Sequence, residues 1–128
     1  MAGELILIVE DNERNLKLLR DLLGAHGYRI LEARSAEDAL VLARAECPQL
    51  VLMDIQLPGM DGLAALRELR AAAETRATPV VAVTAFAMTD DRERLLAAGF
   101  DGYLEKPVNV RELPVHIRSY IAPSAIGV

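Results

Sequence analysis

Short apolar runs alternate along the chain with longer segments whose apolar residues recur every three or four positions. The first run, Leu5–Val9, is continuous and rich in branched side chains, which is typical of a strand buried on both faces of a parallel sheet. The next segment carries Leu16, Leu19 and Leu23 at helical spacing and stops at Gly27, a residue favoured after a helix end. The chain is therefore predicted to begin with a strand followed by an amphipathic helix.

The same alternation continues to the end of the sequence. It predicts further strands over residues 28–33, 50–53, 80–83 and 102–105, and helices over residues 36–46, 61–73, 89–98 and 109–121. Ser35 with Asp38, and Asn109 with Glu112, resemble the residue pairs that cap helix starts. Pro114 conflicts with a helix that starts at Asn109, because a proline beyond the first turn removes a backbone hydrogen bond. This helix therefore begins later or is kinked.

Repeated strand–helix alternation predicts an α/β fold, with a five-stranded parallel sheet and helices on both of its faces. The length of 128 residues suits one domain with one core. We expect the domain to span residues 1–122, and residues 123–128 to form a short flexible tail.

Composition excludes several classes of protein. The net charge of −5 argues against direct DNA binding, which requires a basic face. No stretch approaches the roughly 18 apolar residues of a membrane span, so we expect no membrane insertion. Cys47 is the only cysteine and cannot form an internal disulfide, which fits a cytoplasmic location.

Polar side chains stand where the predicted strands end. Glu10 and Asp11 follow strand one, Asp54 follows strand three, Thr84 ends strand four, and Lys106 follows strand five. Sites in parallel sheets lie beyond the carboxyl ends of the strands, so these side chains are expected at one edge. Each residue alone has an ordinary structural explanation, such as an acid at a turn or a surface lysine. Together they predict a site.

The chemistry of these residues suits phosphorylation of one aspartate. Three clustered carboxylates repel one another, and a hard cation with oxygen ligands relieves that repulsion; Mg²⁺ is the usual choice where phosphate is involved. A carboxylate can act as a nucleophile and form an aspartyl phosphate. A lysine and a hydroxyl can hold the phosphoryl oxygens.

These residues resemble the receiver domain of two-component response regulators over essentially the whole chain. The matching segments are Glu10-Asp11-Asn12, residues 53–62, Val83-Thr84-Ala85 and Lys106-Pro107. The resemblance implies a CheY-like, flavodoxin-like sheet with strand order 2-1-3-4-5. It also implies that Asp54 is the phosphoacceptor, and that Mg²⁺ is bound by Glu10, Asp11, Asp54 and the backbone carbonyl of Gln56.

The resemblance further implies how such a domain signals. Thr84 and Lys106 are expected to contact the phosphoryl group, Thr84 and Tyr103 to act as the switch, and the Lys106-Pro107 peptide bond to be cis. The phosphoryl donor would be a histidine kinase or a histidine phosphotransfer protein. A monomeric domain would then bind a downstream target protein through the face of helix four, strand five and helix five, without enzymatic turnover of other substrates.

Within this family, the sequence is similar to stand-alone receivers of the DivK cell-cycle type, and receivers of hybrid histidine kinases share much of the pattern. An interaction module that is never phosphorylated is the remaining alternative. A phosphatase that uses an aspartyl phosphate is disfavoured, because it needs a second aspartate where Gln56 stands. A dinucleotide-binding fold is disfavoured because the Gly-x-Gly-x-x-Gly motif is absent.

Overall fold

Strands and helices alternate through the part of the chain that the structure describes. The structure is a computed structural model that describes residues 3–55, 57, 62–84, 89–106 and 109–126, with the backbone alone for 89–92 and 122–126. The strands are β1 (Leu5–Val9), β2 (Arg29–Ala33), β3 (Leu50–Asp54), β4 (Val80–Thr84) and β5 (Gly102–Glu105). The helices are α1 (Glu13–Ala25), α2 (Ala36–Glu46), α3 (Gly62–Ala71), α4 (Thr89–Ala98) and α5 (Leu113–Ile126).

The five strands form one parallel sheet in the order β2-β1-β3-β4-β5. This confirms the predicted fold class and strand order. In the register of the sheet, Asp54 of β3 lies opposite Val83 of β4, and Thr84 lies opposite Glu105 of β5. The strands that carry the predicted site therefore end at nearly the same level.

The sheet separates two layers of buried side chains. Successive residues of a strand point to opposite faces, so Leu7 and Val9 pack with α2, α3 and α4, whereas Ile6 and Ile8 pack with α1 and α5. Every residue of β1, β3 and β4 is buried. The continuous apolar runs of the sequence are thus explained by helices that cover both faces.

Of the two predicted helix caps, the one at Ser35 opens its helix, whereas the one at Asn109 forms four residues before its helix begins. The Ser35 hydroxyl accepts a hydrogen bond from the Asp38 N–H at 3.1 Å. The Asn109 side chain accepts from the Glu112 N–H at 3.2 Å, but the helix itself begins at Leu113. Pro114 therefore lies in the first turn of α5, the part of a helix where proline is tolerated.

Two helix ends differ from the prediction. Helix α3 stops at Ala71 rather than residue 73, since the Thr75 hydroxyl turns back and donates to the Leu69 carbonyl at 2.6 Å. Helix α5 continues to Ile126 rather than ending at residue 121. A proline at position 123 was expected to end the helix, but the backbone stays helical through it. The division of the chain at residue 122 into domain and flexible tail stays a prediction.

None of the described helices combines the length and apolar character that a membrane span requires.

An arginine connects α3 to the residues just before β4 and just before β5. The guanidinium of Arg70 donates to the carbonyls of Thr78 (2.6 Å) and Gly99 (3.2 Å) and to the Asp101 carboxylate (2.9 Å). The same carboxylate oxygen of Asp101 accepts from the Val80 N–H at 2.8 Å. This arginine fixes the amino ends of β4 and β5, on the side of the sheet opposite the predicted site.

Replacing Arg70 with alanine is expected to lower the free energy of unfolding by about 2 kcal/mol, because several hydrogen bonds to a charged group are removed together. Urea denaturation followed by far-UV circular dichroism would measure the change. Arg67→Ala is the matched control, since Arg67 is exposed on the same helix. Equal stability of the two variants would contradict a structural role for the Arg70 hydrogen bonds.

Candidate functional site

The predicted site residues meet at the carboxyl edge of the sheet. Asp54 and Thr84 are the last residues of β3 and β4, and both are buried. Glu10 follows β1 directly and Lys106 follows β5 directly. The prediction that four strands bring these side chains to one edge is therefore confirmed.

Lys106 connects the ends of the other three strands. Its ammonium lies 2.9 Å from Asp54 Oδ2 and 3.1 Å from Glu10 Oε1. Its backbone N–H donates to the Thr84 carbonyl at 2.8 Å. The predicted lysine thus lies between two buried carboxylates and is anchored to β4 by its own backbone.

The environment of Lys106 keeps its ammonium protonated. Burial alone would lower its pKa, because it disfavours the charged form. The hydrogen bonds to Asp54 and Glu10 and the attraction of both carboxylates outweigh burial, and the pKa of Lys106 is raised. The cation is therefore a permanent part of the site at neutral pH.

Glu10 is held in a crowded position. The residue is 1% exposed, and burial, followed by the nearby Asp54 carboxyl group, raises the pKa of its side chain. The Asn12 N–H, which donates to Glu10 Oε2 at 3.2 Å, and Lys106 act in the opposite direction. Because the pKa of Glu10 is raised overall, these two partners do not fully offset the effects of burial and of the Asp54 carboxyl group.

The acidic side chains are close enough to share a cation. Carboxylate oxygens of Glu10, Asp11 and Asp54 all lie within 4.8 Å of one another. Asp11 is exposed, whereas the other two are buried. Two of these carboxylates, Glu10 and Asp54, contact the single ammonium of Lys106, so a divalent ion with oxygen ligands would balance the remaining negative charge of the cluster. These residues therefore fit Mg²⁺ by charge and by ligand chemistry.

Two parts of the predicted site lie outside the described residues: Gln56, with its backbone carbonyl, and Pro107, with the predicted cis bond. Asn12 was not predicted to have a role. It caps α1 by accepting from the Asn15 N–H at 3.1 Å, and its own N–H holds Glu10. The cap could have been predicted, because an asparagine just before a helix often plays this role. Nothing in the sequence indicated the contact with Glu10.

Tyr103 lies beside a groove next to the site. The groove has a volume of about 710 Å³ and runs along β5, with Leu96 of α4 on one side and Leu113 and Tyr120 of α5 on the other. Tyr103 is half-buried and packs against the layer formed by α2, α3 and α4. The same groove reaches Lys106, so it connects the charged cluster to the face formed by α4, β5 and α5.

Comparison of the sequence with known proteins identifies its relatives. The family model described as the response regulator receiver domain matches residues 6–118. The polar-differentiation response regulator DivK of Brucella ovis is 48% identical over 116 residues, which cover 91% of this chain and 94% of that protein. The DivK protein of Brucella anthropi is 47% identical over the same length.

Solved structures give the same result. The receiver domain of a sensor histidine kinase from Pseudomonas aeruginosa, with a magnesium ion coordinated in its active site cleft, superimposes with a TM-score of 0.87 at 38% identity. The superposition covers 94% of this chain and 99% of that one. A response regulator receiver domain protein from Methanospirillum hungatei superimposes with a TM-score of 0.87 at 30% identity, covering 97% of this chain and 98% of that one.

Proposed function

Because this chain belongs to the response regulator receiver family, we propose that Asp54 accepts a phosphoryl group in a magnesium-dependent reaction. The observation that carries the proposal is the position of Asp54 between Lys106, at 2.9 Å, and two further carboxylates within 4.8 Å. A buried carboxylate with one adjacent ammonium and one candidate cation site has the charges that phosphoryl transfer needs.

The reaction would transfer the phosphoryl group from the nitrogen of a phosphohistidine to Asp54. A carboxylate oxygen forms the new P–O bond as the P–N bond of the donor breaks, and the departing nitrogen takes up a proton. Bound Mg²⁺, held by Glu10, Asp11 and Asp54, would supply neutralisation of the charge on the phosphoryl oxygens. Lys106 would stabilise the same charge from the β5 side, and the Thr84 hydroxyl would donate to a phosphoryl oxygen.

The proposed output is binding of a protein partner by the face of α4, β5 and α5. Thr84 ends β4 and pairs in register with Glu105, two residues after Tyr103. Movement of Thr84 toward a phosphoryl group would therefore act on the strand that carries Tyr103. Half-buried Tyr103 lines the groove on this face, where a change in its position would alter the surface presented to a partner.

The phosphoryl donor would be a histidine kinase or a histidine phosphotransfer protein. Among the receivers in this family, we propose that this chain is of the DivK type. This assignment is supported by the match to Brucella ovis DivK, which covers 94% of that protein at 48% sequence identity. The identity to the kinase receiver domain from Pseudomonas is lower, at 38%. No segment of the chain is proposed to bind DNA.

Incubation with phosphoramidate and Mg²⁺ tests the function, because this small molecule supplies a P–N bond without any partner protein. Intact-mass spectrometry is expected to show the gain of one phosphoryl group, and addition of a chelator should prevent it. If the folded protein gains no phosphoryl group with Mg²⁺ present, the phosphoacceptor function is wrong. The alternative of an interaction module that is never phosphorylated would then be favoured.

A further inference from the structure

Gly62 contacts the backbone of the segment that carries Asp54. It is buried at the first position of α3, and its N–H donates to the Ile55 carbonyl at 3.3 Å. The Ile55 N–H in turn donates to the Val83 carbonyl of β4 at 3.1 Å. Ile55, the residue that follows Asp54, is thus held at both its N–H, by β4, and its carbonyl, by the amino end of α3.

A side chain at position 62 would collide with this backbone. An ideal Cβ on Gly62 would lie 3.0 Å from the Asp54 carbonyl oxygen and 3.1 Å from Ile55 Cα. Both distances are shorter than ordinary van der Waals contact, and neither atom belongs to a flexible side chain. The Asp54–Ile55 peptide would therefore have to shift by a few tenths of an ångström.

The backbone conformation of Gly62 does not itself require glycine. Among the residues that the structure describes, positive φ angles at glycine occur at Gly3, Gly27 and Gly99. Glycine disfavours helix formation relative to alanine. The residue at position 62 is therefore explained by the close approach of α3 to Asp54 rather than by backbone geometry.

We propose that Gly62 is a positioning residue for the phosphoacceptor, a role that rests on the proposed function. Its missing side chain lets the amino end of α3 press against the Asp54–Ile55 peptide and fixes the direction in which the Asp54 carboxylate leaves the strand. That direction sets the distances from Asp54 to Lys106 and to Glu10. A shift of the peptide would disturb these distances while leaving the buried layers of the sheet intact.

The test compares Gly62→Ala with Gly24→Ala in the full chain. Gly24 lies within α1, and a Cβ there would meet nothing within 4 Å. Gly24→Ala is expected to raise the folding equilibrium constant roughly fivefold through helix propensity and to leave the phosphorylation rate unchanged. Gly62→Ala is expected to slow phosphorylation by phosphoramidate about tenfold, because displacements of this size disturb reacting geometry.

Two further measurements separate positioning from general stability. The folding equilibrium constant of Gly62→Ala, from urea denaturation, should stay within about threefold of wild type, since the strain offsets the gain in helix propensity. The Mg²⁺ concentration at the midpoint of thermal stabilisation should rise in Gly62→Ala and not in Gly24→Ala. A structural role alone would lower stability without moving this midpoint.

Each result decides the proposal. A wild-type phosphorylation rate and an unchanged Mg²⁺ midpoint in folded Gly62→Ala would overturn the positioning role and leave the proposed function standing. Loss of the fold in Gly62→Ala would also overturn it, because the contact would then serve global stability. If the wild type itself takes no phosphoryl group, the proposed function fails. The Mg²⁺ concentration at the midpoint of thermal stabilisation, compared between the two variants, then decides whether Gly62 positions the acidic cluster.

Discussion

Asp54→Asn is expected to abolish phosphorylation by phosphoramidate while the protein stays folded. Asparagine has nearly the shape of aspartate, but its amide is not a nucleophile and forms no acyl phosphate. Lys106 would keep its second ion pair, to Glu10 at 3.1 Å, so the ends of β1 and β5 remain connected. Asp54 also contributes to raising the pKa of Glu10, so its removal relieves part of the repulsion between the two carboxyl groups.

Intact-mass spectrometry checks this expectation, with far-UV circular dichroism as the test of folding. Asp21→Asn is the control: Asp21 is an exposed acid of α1 that pairs with Lys17 at 2.6 Å, remote from the predicted acidic cluster. The control should gain a phosphoryl group at the wild-type rate. Phosphorylation of Asp54→Asn at that same rate would mean that another residue is the acceptor.

Lys106→Met is expected to slow phosphorylation about 100-fold, the usual effect of removing one donor that stabilises a developing charge. Methionine keeps the length and much of the volume of lysine but has no ammonium. The substitution removes the ion pairs to Asp54, at 2.9 Å, and to Glu10, at 3.1 Å, which place a positive charge beside the acceptor. The rate is measured from the time course of the phosphorylated fraction at a fixed Mg²⁺ concentration.

The chain provides a matched control for this variant. Lys17 is the only other lysine, and its exposed side chain pairs with Asp21 on the surface of α1. Lys17→Met removes the same charge from the protein without touching the site, so it should retain the wild-type rate. Equal rates for Lys106→Met and Lys17→Met would show that net charge, and not the position of the ammonium, governs the reaction.

Much of the fold follows from periodicity because its strands are buried on both faces. A continuous apolar run has few alternative interpretations when glycine, proline or a capping pair bounds it, and the predicted bounds of β1, α2 and β5 match the structure. The bounds are harder to predict where a side chain acts on the backbone. Thr75 ends α3 through a hydrogen bond to Leu69 that spacing does not reveal.

The sequence predicts which residues form the site, but it does not predict which of their side chains contact one another. Parallel strands bring their carboxyl ends to one edge, so the strand-terminal residues Glu10, Asp54 and Lys106 had to meet. Which carboxylates Lys106 would contact depends on side-chain conformations and on the offset between strands. The close approach of Gly62 to the Asp54 carbonyl likewise depends on how α3 enters the structure, and the sequence alone indicated only a glycine at a turn.

The location of the phosphoryl group is the most direct test of the central claim. After phosphorylation with phosphoramidate and Mg²⁺, borohydride reduces an aspartyl phosphate to homoserine, and tandem mass spectrometry of proteolytic peptides locates the change. The proposed function predicts homoserine at position 54, and none when a chelator is present. Homoserine at another acidic residue, or none in a sample that has gained a phosphoryl group, would contradict the assignment of Asp54 as the phosphoacceptor.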